Sequence, residues 1–146
     1  MTHIRTQVRE VVADALTLAC PQFEVYASFK YARNVGDKPM LDIRFLNENI
    51  DSEVMGSQRR RVASLYLRLQ RPATEEEIDD LLDQDEIDIN DVVMTSGWWE
   101  GLLEEEPEQK QVNWSDTDEG GRIIGTIVLR YDIEYRVTQY DLETPV

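Results

Sequence analysis

The sequence predicts one α+β domain, residues 1–146, with a mostly antiparallel sheet of four to five strands and two helical segments packed on one face. Two observations predict it. Apolar residues recur at helical spacing after residue 4 and again after residue 78, and other stretches alternate apolar with polar residues. A length of 146 residues is typical of a single domain. The predicted order of elements is α-β-β-β-α-β-β.

The first half of the chain predicts a helix followed by three strands. Apolar residues three and four positions apart predict the helix over 3–18, with Thr2 as N-cap and Pro21 ending it. Alternating residues then predict strands over 23–31, 41–46 and 62–69. The polar, acidic segment 47–57 is expected to be a flexible loop.

The second half predicts a short helix and two further strands. Thr74 and Glu77 form a capping box, which predicts a helix that runs to about Asp85. Residues 86–108 are expected to be irregular or a short helical insertion. Alternation predicts the last strands over 110–115 and 123–137, with a bulge at Gly125 and a loose tail over 138–146.

The net charge of −15 is concentrated in one part of the chain. Residues 1–73 hold 11 bases and 8 acids, a net of +3, whereas residues 75–119 hold 18 acids and one base, a net of −17. Bulk repulsion excludes binding to nucleic acid or to an anionic membrane by general attraction. The acidic block is interpreted either as a solvated helix face with a surface loop, or as a patch that repels DNA, mimics DNA or meets a basic patch on a neighbour.

The residues that carry chemistry are few. One histidine, His3, and one cysteine, Cys20, cannot assemble a zinc site of the usual kind within one chain. The acidic run from Asp83 does not match a calcium-binding loop, because isoleucine stands at its fifth position. No phosphate-binding or nucleophile motif is found. The sequence therefore predicts no catalytic residue, no cofactor and no metal, and a protein that is not an enzyme.

The predicted functional residues form a subunit interface instead. A head-to-tail contact between unlike patches generates a ring when its rotation closes, so the basic run is predicted to meet the acidic helix of a neighbouring copy. Alternatively, the basic run protects an edge strand. Trp114 is expected to face the core. One of Trp98 and Trp99 is expected to be exposed at an interface, with packing in the core or in a loop as the alternative. The predicted interface comprises Arg59, Arg60, Arg61, Glu75, Glu76, Glu77, Asp79, Asp80, Trp98 and Trp99.

Three parts of the sequence resemble one viral family. They are the opening helix of residues 2–10 followed by 23–26, the basic run 59–61 followed by the acidic helix 75–82, and the closing strand 124–136. In this order of elements the chain resembles the tail-terminator (tail-completion) proteins of long-tailed phages, the group that includes the lambda minor tail protein U. The segment 86–108, with its two tryptophans, departs from the compact pattern of that family.

The resemblance implies a structural protein of the virion tail, assembled in the bacterial cytoplasm. Such proteins form a hexameric ring that caps the tail tube, ends tube polymerisation and joins the tail to the head connector or neck protein. DNA passes through without specific binding, and no membrane is involved. The alternatives are a head-tail adaptor or head-closure protein of the neck, and an acidic inhibitor that mimics DNA.

Overall fold

Two helices and five strands make up the described part of the chain, in the predicted order. The computed structural model describes residues 3–27, 38–51, 58–119, 122–138 and 141–146. The elements are α1 (Ile4–Ala19), β1 (Glu24–Tyr26), β2 (Met40–Asp51), β3 (Gln58–Ala73), α2 (Ile78–Thr95), β4 (Glu108–Glu119) and β5 (Arg122–Thr138). The α+β class is therefore confirmed.

The five strands form one sheet in the order β1-β2-β3-β5-β4. β2, β3, β5 and β4 pair antiparallel, but β1 pairs parallel with β2, and Val25 lies opposite Leu41. The prediction of a mostly antiparallel sheet is thus wrong, because the sheet is mixed. Parallel neighbours need a connection of about a dozen residues or more, and the stretch from 27 to 39 has that length.

The core unites both helices with alternate residues of the sheet. α1 buries Ile4, Val8, Val12 and Leu16, one residue per turn of its apolar stripe. From β3 and β5 the core takes alternate side chains, as the two-residue period of a strand dictates. Those strand residues are Ala63, Leu65, Leu67, Leu69, Ile127, Leu129, Tyr131, Ile133, Tyr135 and Val137.

The second helix extends to Thr95, well beyond its predicted end at Asp85. Its buried stripe runs on through Ile89, Val92 and Val93, so residues 86–95 are helical and not irregular. The carboxylate of Asp85 occupies a buried position of that stripe, which interrupts the apolar pattern in the sequence. An ion pair described below explains how a carboxylate is accommodated there.

Other boundaries also differ from those predicted. Residues 47–51 belong to β2 and are not loop, whereas 52–57 lie outside the described residues. The N-cap of α1 is His3, whose Nδ1 accepts from Arg5 N at 3.0 Å, and Thr2 lies outside the described residues. Leu142 O accepts from Ile4 N at 3.0 Å, and Val146 N donates to Arg136 O at 3.0 Å. The described residues 141–146 are therefore hydrogen-bonded to α1 and β5, whereas a loose tail was predicted.

Gly125 permits close packing of α2 on β5 and does not form a bulge. It pairs in regular register with Arg71 and Asp116. The register shifts lie elsewhere, between Phe45 and Asn47 and between Gln109 and Gln111. A Cβ at Gly125 would lie 2.2 Å from Ile78 Cδ1 and 3.3 Å from Leu82 Cδ1. A side chain at this position would therefore displace the first turn of α2.

We expect Gly125→Ala to lower the free energy of unfolding by about 1–3 kcal/mol, the usual cost of overpacking. Ile78 is itself buried, so its end cannot swing into solvent. In an Ile78→Ala background the space is open, and the same glycine substitution should cost less than about 1 kcal/mol. Urea denaturation of the four proteins measures both costs. Equal costs in the two backgrounds would contradict the proposed clash.

Candidate interaction surfaces

The five acidic residues of the predicted interface lie at the start of α2 and are exposed. Glu75, Glu76 and Glu77 are exposed in the turns before α2, and Asp79 and Asp80 are exposed in its first turn. These five carboxylates are thus accessible, as an interface requires, and those on α2 also suit the positive end of its dipole. No partner of the basic run is found among them within the described residues.

The buried carboxylate of the acidic block, Asp85, is paired within the chain. Arg71 of β3 donates from Nε to Asp85 Oδ2 at 2.6 Å and from Nη2 to Oδ1 at 2.7 Å. Burial raises the pKa of Asp85, and the hydrogen bonds and charge of Arg71 oppose that rise. This bidentate pair connects α2 to the sheet.

The basic run is also partly neutralised within the chain. Arg61 Nη1 lies 2.9 Å from Glu48 Oε2, and the same glutamate accepts a hydrogen bond from the Tyr135 hydroxyl. Arg60 Nη1 lies 3.5 Å from Glu134 Oε1, on the opposite face of the sheet. The strand register places Arg59 and Arg61 on one face and Arg60 on the other. Two of the three predicted interface arginines are therefore engaged in intramolecular ion pairs.

Further ion pairs cover the face of the sheet opposite the core. Arg68 Nη2 lies 2.7 Å from the buried carboxylate of Asp42. Close pairs also join Arg130 with Asp132 at 3.3 Å and Arg136 with Glu104 at 2.9 Å. Among the described residues, positive and negative groups alternate across this face and form no continuous basic stripe of the kind that favours nucleic-acid binding.

The three tryptophans have different environments from those predicted. Trp98 is 8% exposed, and its Nε1 donates to Val93 O at 2.9 Å. Trp99 is partly buried and packs on the same core. The expectation that one of this pair is exposed is wrong, because a turn after α2 directs both rings inward. Trp114 was expected in the core but is 68% exposed.

Trp114 is exposed because β4 is an edge strand at the end of the sheet. It lies opposite Ile127, which is buried, so its ring is on the core side of the sheet. There it lines a groove of about 400 Å³ between α2 and β4. We call this the Trp114 groove, and its lining residues are Asp79, Leu82, Asp83, Glu86, Trp114 and Ile127.

The Trp114 groove combines an apolar floor with an acidic wall. Leu82 and Ile127 are buried beneath it, while Asp79, Asp83 and Glu86 stand on α2 at intervals of four and three residues. That spacing places three carboxylates on one side of the helix. No base lines the groove within the described residues, so its electrostatic potential is negative.

A second groove of about 270 Å³ lies between α1 and β2, on the far side of the strand order from β4. We call it the Arg9 groove, and its lining residues are His3, Arg5, Thr6, Arg9 and Phe45. Arg5 and Arg9 are one helical turn apart. Arg9 Nη2 donates to Thr6 Oγ1 at 3.2 Å, and Arg9 contacts no carboxylate within the described residues. This groove is basic where the first is acidic.

The strand β2, which contributes Phe45 to the Arg9 groove, also carries exposed apolar side chains. Leu46 is 51% exposed at the register shift, and Ile50 is 56% exposed further along the strand. Exposed aliphatic groups beside charged ones are common where a protein meets a partner. The chain thus carries an apolar and acidic surface at one edge of its sheet, and an apolar and basic surface at the other.

The environments of Cys20 and His3, the two side chains of the most reactive types, disfavour a catalytic role. Cys20 is buried, and burial together with Asp88 and Asp85 raises the pKa of its thiol, which disfavours the reactive thiolate. Burial and Arg5 lower the pKa of His3, whose Nδ1 is occupied by the helix cap. Within the described residues no cluster of three metal-binding side chains occurs. Neither described helix has the length and apolar character needed to cross a membrane.

No protein-family model matches the chain, and no curated protein matches it by sequence. Function must therefore be inferred from the two grooves. Of the residues that line them, the sequence predicted only Asp79 as an interface residue. A usable signal for the others was present: Asp79, Asp83 and Glu86 have helical spacing, as do Arg5 and Arg9. The exposure of Trp114 depends on strand order, which has no local signal.

Proposed function

We propose that this protein is a structural assembly protein of the tail-terminator type, which forms a ring by head-to-tail contact between copies. The observation that carries this proposal is the opposite charge of the two sheet edges. A contact between two surfaces on opposite sides of a molecule repeats from copy to copy, and it generates a ring when its rotation closes. The resemblance of the chain to tail terminators supplies the expected number of six.

The proposed ring would cap the tail tube, end its polymerisation and join the tail to the head connector or neck protein. These roles follow from the resemblance. The same resemblance implies the tube protein as a partner and the virion tail as the location. We also infer that both helices cover one face of the sheet. Support comes from the shared core and from the contact of Ile78 with the β5 backbone at Gly125. The ion-paired face would then be open for contact with tube or connector.

The charge of such a ring suits the passage of DNA. Six copies of a chain with net charge −15 carry −90, so acids facing the channel would repel phosphates. The glutamates 75–77 and 104–106 are exposed and contribute to this field. DNA would therefore pass without being held, which is what a conduit requires.

A second candidate is an acidic protein that mimics DNA. It is favoured by α2, a continuous helix over Ile78–Thr95 that presents several carboxylates on a rigid support. Such an inhibitor would act as a monomer that binds a basic DNA-binding protein. The two candidates therefore differ in self-association, which is simple to measure.

We expect the purified protein to form six-fold rings, seen by electron microscopy and by sedimentation over a range of concentrations. Added duplex DNA should bind weakly even at low salt, because the field of the acidic block repels it. A chain that stays monomeric at the highest concentration, with or without tail tube protein, would overturn the ring proposal and favour the mimic. Tight DNA binding would overturn the conduit.

A further inference from the structure

We propose that the Trp114 groove of one copy receives the side chains of Arg5 and Arg9 from the Arg9 groove of the next copy. This inference rests on the proposed function and specifies which surfaces meet in the ring. It replaces the contact predicted from sequence, in which the arginine run 59–61 met the start of α2. Arg60 and Arg61 already contact carboxylates of their own chain.

The receiving groove has the chemistry that a guanidinium group prefers. The ring of Trp114 is 68% exposed and offers a flat aromatic face. Arginine stacks on such a face while its N–H groups bind carboxylates, and Asp79, Asp83 and Glu86 line the same groove. The buried floor of Leu82 and Ile127 would exclude water from part of the contact and strengthen it.

The donating surface has two arginines suited to reach outward. Arg5 and Arg9 lie one turn apart on α1, so both project from the same side of the helix. Among the described residues, Arg5 Nε approaches the carboxylate of Glu48 at 4.0 Å, and Arg61 holds the same carboxylate more closely at 2.9 Å. Both arginines thus retain hydrogen-bond donors for a partner.

Apolar surface on each side also matches. Phe45 lines the donating groove, and Leu46 and Ile50 of β2 are more than half exposed. Together with the Trp114 ring across the contact, they would form a small apolar centre flanked by charge, as protein interfaces commonly have. Because one chain carries both complementary surfaces, a second copy is the partner that fits the groove.

The strand order places the two surfaces where a ring requires them. β4 is the last strand at one edge of the sheet, and β1 at the other edge pairs only with Met40–Asp42 of β2. Within the described residues, β2 beyond Asp42 and the outer side of β4 therefore have no neighbouring strand. The contact joins opposite ends of the molecule, so each copy can bind one neighbour on either side.

The test compares two matched double variants of α2 with the unaltered protein. Asp79→Asn with Asp83→Asn removes two of the three negative charges of the groove, whereas Asp80→Asn with Asp91→Asn removes the same charge from exposed positions of the same helix outside it. We expect the first pair to weaken self-association at least about tenfold and the second to change it less than about threefold. Mass photometry and sedimentation measure the assembly.

Fluorescence gives an independent reading of the same contact. Trp98 is buried and Trp99 partly buried, so quenching by acrylamide reports mainly on Trp114. We expect quenching to fall when the protein assembles and to stay high in the Asp79/Asp83 variant. Unchanged Trp114 quenching on assembly would overturn the inference.

Exchanging the charges of the two grooves distinguishes an error in the proposed contact from an error in the proposed function. Asp79→Arg with Asp83→Arg should abolish assembly, and adding Arg5→Asp with Arg9→Asp in the same chain should restore it. If the unaltered protein forms rings and the groove variants form them equally well, the inference is wrong and the ring proposal stands. If the unaltered protein never assembles, both are overturned.

Discussion

Replacing Arg71 with methionine is expected to lower the free energy of unfolding by about 3–5 kcal/mol at neutral pH. The substitution keeps an unbranched chain of similar length but removes both hydrogen bonds to Asp85, which are 2.6 and 2.7 Å long. Asp85 is 3% exposed, so its carboxylate would be left without a counter-charge in the interior. Urea denaturation monitored by circular dichroism measures the loss.

The deficit of this variant should depend on pH. Burial already raises the pKa of Asp85 above its ordinary value of 3.8, and loss of Arg71 removes the interaction that opposes the rise. A carboxyl with a raised native pKa binds its proton more tightly folded than unfolded. The deficit is therefore complete above the native pKa of Asp85 and shrinks as the pH falls towards 3.8.

The double variant Arg71→Met with Asp85→Leu is the matched control for the ion pair. Replacing both partners of a buried pair by apolar groups is neutral or stabilising in many proteins, so most of the lost stability should return. A double variant as unstable as Arg71→Met alone would contradict the view that an unpaired charge causes the loss. A deficit that does not change with pH would contradict it as well.

The sequence predicts the order of elements well because most of them have clear periodicity. α1 and β5 are found within one residue of their predicted ends, since their apolar residues recur at 3.6 and 2 positions without interruption. α2 was predicted too short because Asp85 breaks the apolar stripe. Ile89, Val92 and Val93 resume the stripe beyond it, but only the tertiary structure shows that Arg71 pairs with Asp85 and lets the helix continue through a buried carboxylate.

The strand order and the exposure of Trp114 were harder to predict, because they too depend on tertiary structure. The parallel pairing of β1 depends on the path of the chain between Tyr26 and Met40. Trp114 alternates like a core residue, but it stands on an edge strand that α2 does not cover completely. The basic run was predicted as an interface because its partners Glu48 and Glu134 are distant in sequence.

Trp98→Ala is the second substitution with a large expected effect, a loss of about 3–5 kcal/mol in the free energy of unfolding. The sequence placed Trp98 in an interface, but its ring is 8% exposed and packs in the core. Its Nε1 also donates to Val93 O at 2.9 Å near the end of α2. Thermal and urea denaturation measure the loss.

Trp114→Ala is the contrasting control, because the two tryptophans exchange the roles that the sequence suggests. Trp114 is 68% exposed, so its removal should change the free energy of unfolding by less than about 1 kcal/mol. Trp98→Phe should fall between the two, since it retains the aromatic packing and leaves Val93 O without its donor. If Trp98→Ala instead left stability unchanged and weakened assembly, Trp98 would be an interface residue, and the inward orientation of its ring would be contradicted.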